Sequence, residues 1–355
     1  MSDQSRRHGL DPSSIDYRTG AGDGLGAHVG YADLEALFDM HFDEIRRAEV
    51  GVPQLGLLVL AYDVGTAALA SRHWIKGRHE AIDSMVVGRH RKCDLALGDD
   101  PAISLRHLLL MTHPHRPGAK QLSFRAMDLR TSLGFSDCFS NRLEGLVSDG
   151  PAMLSLGRYA LLLLPTGVRP VAESRREAWN QIADPVYLEQ HTQMVAAAER
   201  GAAGRGGAEA RDGGLSCSDA DAARTAFTIV DGPQRAGARL LDRSEALFGT
   251  LAVSAHDRSE QPLIGRRAAS RGILLGSYDR CDDACLAHVA NVGISRVHVV
   301  VFLHEDNLYA IDAASTNGCF ARRQGRRVKL RIAKLSPLFE LLLADDRARL
   351  RWDPE

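Results

Sequence analysis

Gly293-Ile294-Ser295-Arg296-Val297-His298 opens the stretch that decides the fold. The apolar run Val299 to Leu303 follows it, then a polar turn His304 to Asn307, then Leu308 to Ile311. Asp312 leads on into Ser315-Thr316-Asn317-Gly318. A short, mostly β-branched apolar run between polar clusters predicts a buried strand, and the second run predicts its hairpin partner. A hairpin returns the chain to its starting point, so the loop at Ser295–His298 and the loop at Ser315–Gly318 are expected at one end of a sheet. That end gathers hydroxyls, an amide and a guanidinium, with no nucleophile–base pair. This is the chemistry of binding rather than of reaction.

The same pattern occurs once before, between residues 54 and 165. Gly88-Arg89-x-x-x-Cys93-Asp94 aligns without a gap with Gly276-Ser277-x-x-x-Cys281-Asp282. Ser104-Leu105-Arg106-His107 aligns with Ser295-Arg296-Val297-His298. Asp128 to Phe135 aligns with the stretch from Asp312, placing Gly134 opposite Gly318. The repeat predicts two similar units in one chain.

In order and spacing these segments resemble the forkhead-associated (FHA) domain family, whose motifs are Gly-Arg, Ser-Arg-x-His and Ser-Thr-Asn-Gly. The last third of the chain carries the second and third motifs intact, whereas the first reads Gly276-Ser277 and lacks its Arg. Cys281-Asp282 and Cys319-Phe320-Ala321, with the Gln324-Gly325 turn, also fit the family. The resemblance implies an all-β fold: two FHA-like β-sandwiches with an N-terminal helix and a helical, then flexible, linker. It implies a non-catalytic adaptor that binds phosphothreonine peptides in Ser/Thr kinase signalling, with a phosphothreonine-containing protein or a Ser/Thr kinase as partner. By the same resemblance Ser295, Arg296 and Thr316 would contact the phosphate, and Asn317 would hold the ligand's main chain. His298 would brace the Ser295 loop, and Gly276, Ser315 and Gly318 would shape the site. Arg280, in the same loop as the missing Arg, stands as its replacement.

The first copy retains Arg89, Ser104 and His107 but has Leu105 and Leu133 where the family has Arg and Asn. Leucine cannot hydrogen-bond, so this copy is expected to be a scaffold or docking unit. An alternative function follows, a phosphorylation-independent assembly protein using both sandwiches.

The 355 residues divide into an expected disordered tail (1–30), an amphipathic helix (31–50), the degenerate unit (51–166), a linker (167–244) and the second unit (245–355). The tail's Gly20 to Gly26 run follows no strand, so it is read as flexible rather than nucleotide-binding. Leu34, Leu37, Phe38, Phe42 and Ile45 give the helix its apolar face, which either packs on the following unit or docks a partner. In the linker, Asp184-Pro185 reads as a helix start and 201–221 as flexible. Thr228-Ile229-Val230-Asp231 offers a candidate intramolecular ligand.

A net charge of −1 gives no global attraction to nucleic acid or membranes, and no apolar run reaches the ~18 residues of a membrane span. The polar N-terminus and scattered cysteines point to the cytoplasm, with Cys93, Cys281 and Cys319 as buried thiols. No cofactor or metal is expected: His113 and His115 are read as lying in an exposed turn. Arg322, Arg323, Arg326, Arg327, Lys329, Arg331 and Lys334 form a basic cluster that either steers acidic partners or is a solvated strand face. Oligomeric state is not legible.

Overall fold

The computed structural model describes residues 29–98, 100–115, 121–167, 172, 174–187, 225–233, 240–255, 258–282 and 293–355. These residues form two β-sandwiches. The first sets a six-stranded sheet against a seven-stranded one, and the second a seven-stranded sheet against a four-stranded one. Strand Val299–His304 pairs antiparallel with Asn307–Asp312, and Ile273–Leu275 flanks it on the other side. The first unit repeats this with Leu108–Thr112 between Phe124–Asp128 and Asp83–Gly88.

Alternation along these strands explains their unbroken apolar sequence. Val299, Val301 and Leu303 turn into their own sandwich with Leu251 and Leu350. Leu108 and Leu110 do the same with Leu57 and Leu161. The residues between them, Val300 and Phe302 on one side and Leu109 and Met111 on the other, share one buried layer. A strand reads as a continuous apolar run when both of its faces are covered. Here the second cover is the other unit.

The same patch is used by both partners. Val86 and Leu274, Cys93 and Cys281, Met127 and Ile311, and Leu129 and Ala313 hold equivalent places in the repeat, and all lie in that layer. The contact is therefore isologous in kind, a pseudo-twofold within one chain. Its polar rim follows the same rule. Asp94 accepts from Val86 N at 2.7 Å and Asp282 from Leu274 N at 2.6 Å. Each of these carboxylates is also held by an arginine from the opposite unit, Asp94 by Arg331 and Asp282 by Arg130. Arg125 lies 4.9 Å from the Phe302 ring centroid and donates to Ser270 O at 2.9 Å.

Strand Gly56–Asp63 is also covered twice. Leu58, Leu60 and Tyr62 meet Leu34, Leu37, Phe38, Phe42 and Ile45 of the helix Tyr31–Val50, together with Trp179 and Ile182 of the helix Arg175–Ala183. Trp179 Nε1 donates to Tyr31 Oη at 2.9 Å. The N-terminal helix thus packs on the first sandwich. Val29, within the expected tail, is buried beside it, while 1–28 lie outside the described residues.

The connecting region departs from its sequence reading. Ser174 caps the second helix by accepting from Glu177 N at 3.2 Å, and Asp184 ends that helix rather than starting one. A residue before proline is driven out of the helical region, so the Asp-Pro pair terminates here and Val186–Tyr187 goes on as a strand. Strand Ala226–Ile229 pairs with Gly145–Ser148, extending the first unit's sheet. Thr228 is buried in it, and the Asp231 carboxylate takes Arg271 at 2.5 Å, so this stretch is sheet and not a free intramolecular ligand. The stretch 201–221, read as flexible, lies outside the described residues.

His113 and His115 are also corrected, because neither sits in an exposed turn. His113 stacks on His304 across the interface at 4.6 Å between ring centroids. His115 is buried against His79. No group of three or more metal-ligating side chains occurs among the described residues.

Candidate phosphopeptide site

The site is built by fastening two loops to the ends of the Val299–Asp312 hairpin. Asp312 Oδ1 accepts from Ser315 N at 2.8 Å, and Ser315 Oγ accepts from Gly318 N at 3.0 Å, closing a tight turn. Gly318 completes it at φ +77°, the left-handed region that favours glycine. His298 ties this turn to the other loop. Its Nδ1 accepts from Ser295 N at 3.1 Å and its Nε2–H donates to Gly318 O at 3.2 Å. Complete burial holds its pKa below the ordinary histidine value, which preserves the neutral ring that an accepting Nδ1 requires. Thr316 N donates to Ser295 Oγ at 2.9 Å, joining the loops a second time. Gly276 must be small, because a Cβ there would lie 1.9 Å from Arg296 O.

On this frame Arg296 and Thr316 are exposed. Asn317 Nδ2 donates to Gly293 O at 2.8 Å, so its amide steadies the loop on that side. Ser277 Oγ donates to Ile294 O at 3.2 Å. The guanidinium of Arg280 lies 5.6 Å and that of Arg296 5.8 Å from the ring centroid of Tyr278. The structure therefore gathers Ser295, Arg296, Thr316, Asn317, His298, Ser315, Gly318 and Gly276 at one end of the sandwich. Arg280 stands beside them through the shared ring.

The first unit carries the same frame. Ser104 N donates to His107 Nδ1 at 3.1 Å, and His107 Nε2–H donates to Gly134 O at 2.8 Å. Thr131 N donates to Asp128 Oδ2 at 2.9 Å, Gly134 N to Thr131 Oγ1 at 2.9 Å, and Gly134 has φ +70°. Burial lowers the His107 pKa to about 4 and raises that of Asp128 to about 6. Arg89 is exposed, its backbone N–H bonded to Ser104 O at 3.1 Å.

Side chains that the sequence reading missed enter from the first unit. Lys92 Nζ donates to Thr316 O at 2.6 Å. Arg106 donates to Ala314 O through Nη2 at 2.7 Å and through Nε at 3.1 Å, and its Nη2 lies 3.5 Å from Ser295 Oγ. Arg106 occupies the variable position of its motif, so only the way the units pack reveals it. The basic cluster is partly neutralised: Arg322 pairs with Asp346, Arg327 with Asp345 and Arg331 with Asp94.

Residues 263–336 match the family model described as the FHA domain. The FHA domain is thus recognised at residues 263–336. Similar solved structures include the first FHA domain of Rv1747 from Mycobacterium tuberculosis, 22% identical, covering 30% of this chain and 97% of that one with a TM-score of 0.22. The FHA domain of the Chlamydia trachomatis CT664 protein is 16% identical, covering 31% and 96%, with a TM-score of 0.24. The FhaA FHA domain complexed with the intracellular domain of Rv3910 is 15% identical, covering 29% and 98%, with a TM-score of 0.21. No curated protein matches the sequence.

Proposed function

We propose that this protein is a non-catalytic adaptor that recognises phosphothreonine in a partner protein through its C-terminal FHA domain. The observation that carries the reading is the doubly fastened pair of loops presenting Arg296 and Thr316 at the surface. A threonine phosphate brings close to two negative charges and three acceptor oxygens, and it is held best by donors that are already fixed in place. Phosphothreonine is made by Ser/Thr kinases, which places the partner in such a pathway or makes it the kinase itself. Free buried thiols suit a reducing compartment, the cytoplasm. No helix among the described residues is long and apolar enough to cross a membrane.

A second reading has its own observation. The first unit lacks donors at Leu105 and Leu133, and the second lacks an Arg at Ser277, which favours docking independent of phosphate. Fluorescence anisotropy of the full chain separates the two. The probes are a degenerate peptide pool with a fixed central phosphothreonine and its unphosphorylated twin. A tenfold or greater preference for the phosphorylated pool supports the adaptor reading, and equal binding supports phosphate-independent docking.

A further inference from the structure

We infer that the phosphate cradle is composite: Lys92 and Arg106 of the first unit complete what Ser295, Arg296 and Thr316 of the second begin. This rests on the phosphothreonine reading above and adds to it the source of the positive charge absent at Ser277. Ser277 is short and already bonded to Ile294 O, so it cannot extend a donor towards an anion as an arginine would. Lys92 and Arg106 reach across the interface to the two loops that form the cradle, one to Thr316 O and the other to Ala314 O and Ser295 Oγ.

Their electrostatic state suits an anionic ligand. Arg106 is only 8% exposed. A guanidinium buried that far is ordinarily matched by a carboxylate. Among the described residues neither Arg106 nor Lys92 makes an ion pair. Asp312 acts on Arg106 only through space, and its Oδ1 is engaged by Ser315 N. The bonds Arg106 makes to described groups run through Nε and Nη2, and Lys92 uses one of its three donors on Thr316 O. The field around them is positive: burial first, then the charges of Arg106, Lys92 and Arg91, holds His90 below its ordinary pKa. A phosphate dianion beside Ser295 would neutralise the pair and accept from their remaining donors.

The composite cradle also gives the first unit a function that needs none of its lost motif residues. Leu105 and Leu133 point to no ligand, while Lys92 and Arg106 work at the neighbouring site. A bound peptide would lie against both units, so its specificity would be read partly by the degenerate copy.

The test uses the full chain and the same degenerate phosphothreonine pool, with thermal melting to check that each variant folds. Lys92→Ala should weaken binding about five- to tenfold, and Lys92→Glu and Arg106→Gln tenfold or more. Arg89→Ala, which alters an exposed cation of the first unit's own motif, should leave affinity unchanged. Wild-type affinity in both Lys92→Glu and Arg106→Gln, alongside loss in Arg296→Ala, would overturn the composite cradle and leave the adaptor reading intact. No preference of the wild type for the phosphorylated pool would overturn both. Should Arg106→Gln fail to fold, Lys92→Glu at the exposed rim decides alone.

Discussion

The loops at Ser104–Gly134 and at Ser295–Gly318 are two versions of one construction. In each, a buried histidine links a serine N–H to a glycine carbonyl, and an aspartate closes the turn before that glycine. What differs is the residue at matching positions of the loops: Leu105 and Leu133 in one, Arg296 and Asn317 in the other. Frame and recognition are separable. The frame is required by the hairpin's own unpaired backbone groups, which persist whether or not a ligand is bound.

The largest effect should come from the shared layer. Phe302→Ala removes a buried ring that touches both units, and urea unfolding should show a loss of about 3–4 kcal/mol. A loss under about 1 kcal/mol would mean that the units are not held by this face. The two arginine latches come next, and they should not be equal. Arg130 and Asp282 are nearly buried, with side chains 10% and 1% exposed, whereas Arg331 is 40% exposed. Arg130→Ala should therefore cost about 3 kcal/mol by removing the cation that faces a buried carboxylate. Arg331→Ala should cost about 1 kcal/mol or less. Equal losses would undo this account of the rim.

At the sites themselves, Arg296→Ala should weaken phosphothreonine-pool binding by roughly ten- to a hundredfold, the worth of a hydrogen bond to a charged group. The corresponding Leu105→Ala should leave binding unchanged in the same anisotropy assay. A matching loss at Leu105 would place recognition in both units.

The smallest effect is a pH dependence of the first frame. The His107 pKa is depressed to about 4, so the stability it contributes is present above its unfolded value near 6.5 and is lost as pH falls from there towards 4. Asp128, raised to about 6, acts in the opposite sense over the same range, its contribution being lost as pH rises through 6. Comparing wild type with His107→Gln isolates the histidine. Between pH 7 and 5.5 the wild type should lose about 1 kcal/mol more than the variant in urea melts. An identical pH response in both would mean that His107 is not held neutral by the fold.

Much of this was legible in the residues. The hairpin and the meeting of its two end loops followed from two apolar runs and a polar turn. The recognition segments were legible because each is contiguous. The cross-unit residues were not, since Arg106 fills a position where the second copy has Val297, and a single repeat places no constraint on that position. A signal did exist. Leu108 to Met111 and Val299 to Leu303 are apolar without alternation, which a sheet with one wet face does not allow. The connecting region was misread because an aspartate before a proline suits either end of a helix, and the Trp179–Ile182 face that fixes the answer is a tertiary contact. Thr228 looked like a peptide motif because a four-residue pattern says nothing of the sheet edge waiting for it.

The mutual burial of the two sheet faces has a practical consequence. A fragment cut to hold only the C-terminal sandwich would carry Leu274, Val300, Phe302 and Ile311 as a bare greasy plate. Such a fragment should pair with itself or precipitate. It would also have discarded Lys92 and Arg106, so its silence towards a phosphopeptide would say little about the intact chain.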